Sequence, residues 1–155
     1  METVRVGNED VILDDANLIV SEVGLNDFLC KFAGIYNYYT GKWAEAQFLN
    51  YLMDDQYDAL QNKKFDFYKN EGSTDKLADA RSKSNEEVLT ARMASRKSRY
   101  VMQKLHGYLR SLDKAHEDAL NLGYNVRKEL DKVFPKEIKH SDVDKKLEAM
   151  FSEEE

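Results

Sequence analysis

The chain has 155 residues, a length that suits one domain. One Pro and seven Gly, with 42% hydrophobic and 34% charged residues, leave too few turn residues for a β-sandwich or barrel and suit long amphipathic helices. A net charge of −6 taken whole argues against a general nucleic-acid binder, and no apolar run approaches the roughly 18 residues of a membrane span.

In chain order, residues 1–15 read as an acidic segment without pattern. From Ala16 to about Tyr39, apolar Leu18, Ile19, Val23, Leu25, Phe28, Leu29, Phe32 and Ile35 predict one or two short helices, with a boundary near Thr40-Gly41. Residues 42–69 lack Gly and Pro, and Phe48, Tyr51, Leu52, Ala59, Leu60 and Phe67 recur near the 3.6 period, which predicts one long helix. Asn70 to Asp75 is a turn, followed by a polar stretch to Lys83 open to loop or solvated helix. Ser84, three residues before Glu87, suggests a capping box opening a second long helix over 85–122. Its stripe of Val101, Leu105, Tyr108, Leu112, Ala115, Ala119 and Leu122 is longer than a small core covers and is read as an oligomerisation surface. Gly123 interrupts it, helical pattern resumes to Phe134, and Pro135 stops it. A charged tail over 135–155 carries a short apolar set, Val143, Leu147, Met150 and Phe151, and ends in three glutamates. The expected class is therefore all-α, with a helical domain over 16–134 between an acidic N-terminal segment and the tail.

Charge is segregated. Residues 73–110 carry +5, whereas 1–30 carry −6, 31–72 carry −1 and 111–155 carry −4. Within the basic block Arg92, Arg96 and Arg99 fall at i, i+4 and i+7, one helix face rising by roughly 5–6 Å per step, with Lys97 and Lys104 on an adjoining line. A solvated face, or ion pairing with the acidic segments, accounts for the same spacing. A second basic spot, Lys63-Lys64-Phe65-Asp66-Phe67-Tyr68-Lys69, interleaves cations with aromatics, the pairing that holds single strands by charge and stacking. Lysines are also favoured at any helix C-terminus by its dipole.

Enzyme signatures are thin. The sequence has no Gly-rich phosphate loop, no nucleophile elbow and no Cys/His cluster of zinc spacing, so neither catalysis nor a cofactor is expected. Asp113-x-x-His116 and Glu137-x-x-His140 imitate halves of di-iron helical sites, but companion glutamates on long helices are not evident, and no metal is expected. Cys30 is the single cysteine and, among Phe28, Leu29 and Phe32, reads as a small buried hydrophobe. With no disulfide and no signal-like N-terminus, a cytoplasmic setting is expected.

Lys64-Phe65-Asp66-Phe67-Tyr68, closing a long helix before a Gly turn, resembles the basic–Leu–Asp–Tyr–Tyr motif of the UvsY-like recombination mediators of T-even-type phages. Val88-Leu89-Thr90-Ala91, then a long helix, then Gly123-Tyr124, Val126-Arg127-Lys128 and Asp131, is similar to that family's second segment. The resemblance covers roughly residues 30–134 and rests on the ordered set of short motifs. It implies a helical protein of phage-infected bacterial cytoplasm that assembles as a hexameric or heptameric ring. Such a protein binds single-stranded DNA and loads a RecA-like recombinase onto strands covered by single-strand-binding protein. Carried over, Lys64 stands for the motif's arginine, Asp66 for its Asp, and Phe67 and Tyr68 for its tyrosines. Asn62 falls where the family has a lysine, with Lys63 one step later, and the arginine stripe is not part of the family pattern. The single-strand-binding set is then Lys63, Lys64, Phe67, Tyr68, Lys69, Arg92, Arg96, Lys97 and Arg99. The alternative is a helical protein–protein adaptor whose arginines pair across subunits.

Overall fold

The computed structural model describes residues 1–133. Its first element is a β-hairpin, β1 (Glu2–Val6) and β2 (Glu9–Leu13), paired antiparallel with Val4 opposite Val11. Alternation places Val4, Val6, Val11 and Leu13 on one buried face, leaving Thr3, Arg5, Asp10 and Ile12 exposed. Gly7 opens the two-residue connection at φ +58°, the left-handed value needed at the first central position of a type II′ hairpin turn. The reading of residues 1–15 as patternless is thereby corrected: Glu2, Glu9 and Asp10 occupy the ends and the outer face of the ladder, and Asp14 and Asp15 begin the turn that follows it.

A short 3-10 turn, Asp15–Leu18, is capped by the Asp14 carboxylate, which accepts from the Ala16 amide. Three helices follow: α1 (Leu25–Asn70), α2 (Asp75–Ser84) and α3 (Glu86–Val133). At 1.5 Å per residue α1 and α3 are each roughly 70 Å long. The expected short N-terminal helices are instead the 3-10 turn and the first part of α1, which runs through Gly34 and Gly41 without a break. Both glycines are exposed, and a Cβ at either would meet nothing within 4 Å. Their cost is propensity alone, about 1 kcal/mol each, which packing of the flanking turns overcomes. The break expected at Gly123 is absent as well: Gly123 is half-buried against Leu25 of α1, and α3 continues to Val133. The short C-terminal helix and charged tail expected beyond Pro135 lie outside the described residues.

Helix ends are set locally. Asn85, not Ser84, caps α3, its Oδ1 accepting from the Glu87 amide at 3.1 Å, while Ser84 Oγ donates to the Arg81 carbonyl. At the C-terminus of α1 the Gly72 amide donates to Lys69 O and the Ser73 amide to Tyr68 O, a Schellman closure with Gly72 at φ +87°. This turn folds α2 back along the end of α1, where Ala78 and Ser82 are fully buried.

α1 and α3 pack antiparallel, and the hairpin lies across both. One cluster joins Val4, Val6, Val11 and Leu13 to Tyr39 and Ala46 of α1 and to Leu105, Tyr108, Leu109 and Leu112 of α3. Polar contacts fix the hairpin: Tyr39 donates to Ile12 O (2.6 Å), Tyr108 to Asp14 O (2.7 Å), and Glu9 and Glu2 pair with Lys42 and Lys104. Burial pushes the Tyr108 hydroxyl up to about 12, with Tyr39 adding to the rise against an opposing hydrogen bond from Asn17. Much of the stripe read as an oligomerisation surface is covered within one chain. Leu105, Leu112 and Ala119 have no exposed surface, Tyr108 is buried, and Val101 and Leu122 are half-buried, all within one chain. The hairpin, unseen in the sequence pattern, covers the stripe from Val101 to Leu112.

Candidate nucleic-acid interface

The basic–aromatic segment occupies the last two turns of α1, where α2 and the start of α3 converge. Phe67 is 53% exposed and meets Tyr68 edge-on at 5.4 Å. The Arg81 guanidinium of α2 lies 5.9 Å from the centroid of the Tyr68 ring, and the Tyr68 hydroxyl accepts from Asn85 at 3.4 Å. A cation, a ring and a second, half-open ring thus follow one another at one end of the molecule. Lys63 is exposed and has no ion-pair partner among the described residues. Lys64 is half-buried and pairs with Glu87 at 2.7 Å, which holds that carboxyl below its ordinary range, and Lys69 pairs with Asp75. Arg81, in the basic block but outside the predicted site, enters because α2 folds back, a long-range consequence of Gly72.

The arginine stripe is divided. Arg99 donates to Asp54 of α1 at 3.1 Å, inside a layer in which Asp54 also accepts from Ser95 and, at 3.1 Å, from Asn50. The Ser95 hydrogen bond, then Arg99 and Asn50, hold the Asp54 carboxyl low despite its partial burial. Asn50 and Ser95 are buried, so this is a polar layer between two long helices of the kind that fixes register. Arg92 and Arg96 are exposed and without an ion-pair partner among the described residues. Lys97 turns to another side, where it lines a cleft of about 280 Å³ with Arg5, Val6 and Gly7 of the hairpin and Leu49, Met53 and Val101 of the helices. Arg5 was not legible as a site residue, since only the hairpin carries it there. The predicted set therefore does not form one site: Lys63, Lys64, Phe67, Tyr68 and Lys69 gather at the α1 end with Arg81; Arg92 and Arg96 lie open on α3; Arg99 is held by Asp54; and Lys97 lines the hairpin cleft.

His116 stacks on Phe32 at 4.2 Å and Asp113 accepts from the Tyr36 hydroxyl, so that pair serves helix packing. Glu137 and His140 lie outside the described residues. Among the described residues no three His, Cys, Asp or Glu converge as a metal would require, and no helix is long and apolar enough to cross a membrane. Cys30, read as a small buried hydrophobe, is exposed.

No family model, curated protein or solved structure matches the chain.

Two properties of the α1 end bear on chemistry. Its cations stand beside aromatic faces in an open position, suited to a polyanion that also offers flat rings. Two of its cations, Lys64 and Lys69, already have carboxylate partners, so any one copy offers few uncompensated charges and would hold a polyanion weakly.

Proposed function

We propose that this chain is a non-enzymatic recombination mediator, which binds single-stranded DNA as an oligomer and helps load a RecA-like recombinase onto strands covered by single-strand-binding protein. The observation that carries the reading is the half-open Phe67 beside Tyr68 and Arg81, with exposed Lys63, which forms no ion pair among the described residues, on the same turns of α1. Support also comes from the ordered motifs that resemble those of the UvsY-like mediators, which fall on the end of α1, the start of α3 and the last turns of α3.

Mechanistically, the cations track phosphates while Phe67 offers a face on which a base stacks without regard to sequence. Each copy contributes little. A strand that engages one copy of an oligomer meets the next at high effective concentration, so weak contacts add into stable wrapping. Bases held apart from the duplex state by stacking are presented to an incoming recombinase, and no nucleotide hydrolysis is required of this chain.

The test is binding of a fluorescent single-stranded oligonucleotide at low salt by the wild type and by Lys63→Ala/Phe67→Ala/Arg81→Ala. Stacking alone contributes about 1–3 kcal/mol per base, so the triple variant should bind at least about tenfold more weakly. Equal binding by the two proteins removes the site. A helical adaptor that binds no nucleic acid is the second reading, favoured by the pairing of Arg99 with Asp54 and of Lys64 with Glu87, which occupies those cations, though inside one chain and not across subunits. That reading expects no affinity for the oligonucleotide in either protein.

A further inference from the structure

α1 is apolar on two opposite faces, and only one of them is used inside the chain. Asn50 faces α3 and is buried, whereas Phe48, about 160° around the helix from it, is 61% exposed and adjoins exposed Tyr51 and Leu52. α3 repeats the pattern. Ser95 faces α1, whereas Met93, about 160° away, is 71% exposed, in line with exposed Leu89 and Tyr100. The two outer faces lie on opposite sides of the helix pair, and their charges are opposite: Asp55 is exposed in the α1 face and Arg96 in the α3 face.

Their heights agree as well. The contacts Tyr36–Asp113, Asp54–Ser95 and Lys64–Glu87 show that residue n of α1 lies level with roughly residue 150 − n of α3. Asp55 is then level with Arg96, and Phe48, Tyr51 and Leu52 bracket the level of Tyr100. Copies arranged side by side about an axis parallel to the helices stand at equal height, so the α1 face of one meets the α3 face of the next with apolar residues together and Asp55 against Arg96.

We propose that the occupant of each outer face is a second copy of this chain, joined through this α1-to-α3 contact. The inference deepens the reading above, on which it rests for the expectation of an oligomer, and assigns Arg96 to a neighbouring subunit instead of to DNA. Because the contact is heterologous, a pair of copies still has one face of each kind open, and assembly continues past the dimer.

The experiment measures mass by sedimentation of the full chain without DNA, for the wild type, Asp55→Arg, Arg96→Asp and an equimolar mixture of the two variants. The wild type should exceed a dimer. Either charge reversal sets like charges face to face and should raise the concentration for half-assembly by about tenfold or more. The mixture should assemble again, since each variant supplies the charge the other lost, and its recovery also shows that both variants are folded. A monomeric wild type, a species that stops at two copies, single variants that assemble normally, or a mixture no larger than its components would each overturn the proposal. Oligonucleotide binding is read separately on the wild type, so an assembled wild type that binds no DNA counts against the mediator reading and not against this interface.

Discussion

Leu105→Ala tests the placement of the α3 stripe inside one chain. Leu105 has no exposed surface and is enclosed from two directions, by Tyr39 and Ala46 of α1 and by the valines of the hairpin. A cavity opened between three elements closes poorly, so the loss should fall at about 3–4 kcal/mol within the range for buried leucines. With a urea slope of about 2 kcal/mol/M, the unfolding midpoint falls by roughly 1.5–2 M. Leu120→Ala, on the exposed side of the same helix, is the control and should shift stability by no more than about 0.5 kcal/mol. The assay is urea unfolding followed by circular dichroism, together with the sedimentation mass of the folded variant. A Leu105→Ala protein with a normal midpoint but reduced mass would refute the reasoning, because it would place the stripe between subunits.

Other predictions address the local devices. The Asp54 carboxyl is held low in the folded state by Ser95, Arg99 and Asn50, so its contribution is present at neutral pH and is lost as pH falls below about 4, through the depressed folded value. The stability gap between wild type and Asp54→Asn should therefore be wide at pH 7 and narrow toward pH 3; an unchanged gap contradicts the layer. Asn85→Ala removes the cap of α3 and should cost about 0.5–2 kcal/mol, with Ser84→Ala nearly silent, as read by thermal unfolding; the reverse order would restore Ser84 as the cap. Gly7→Ala forces a Cβ into a left-handed turn, 3.2 Å from Glu45 Oε1, and should cost about 1–2 kcal/mol by urea unfolding, whereas a neutral result argues against the turn.

The two long helices were legible because their patterns are long and nearly free of Gly and Pro. Their ends were less so: Gly34, Gly41 and Gly123 lower helix propensity but, inside a packed pair of helices, do not end one. The hairpin carried its signal openly, Val4-x-Val6, Gly7-Asn8 and Val11-x-Leu13, and was obscured by the acids interleaved with it. That omission had a further effect, because a helix stripe covered by a hairpin and one covered by another subunit have the same period. The α1 end was readable as a motif, since cations and aromatics are neighbours in sequence. Which of its cations are compensated was not, because Lys64–Glu87 and Arg99–Asp54 depend on the register between helices distant in sequence.

The central claim is that the α1 end of this chain receives single-stranded DNA, and the most direct measurement is titration of wild-type protein into labelled single-stranded and duplex oligonucleotides at two salt concentrations. The expected result is preference for the single strand, affinity that falls steeply as salt displaces the lysine and arginine contacts, and retention of part of the binding through stacking. Absence of binding at low salt, or equal binding to duplex, would contradict it.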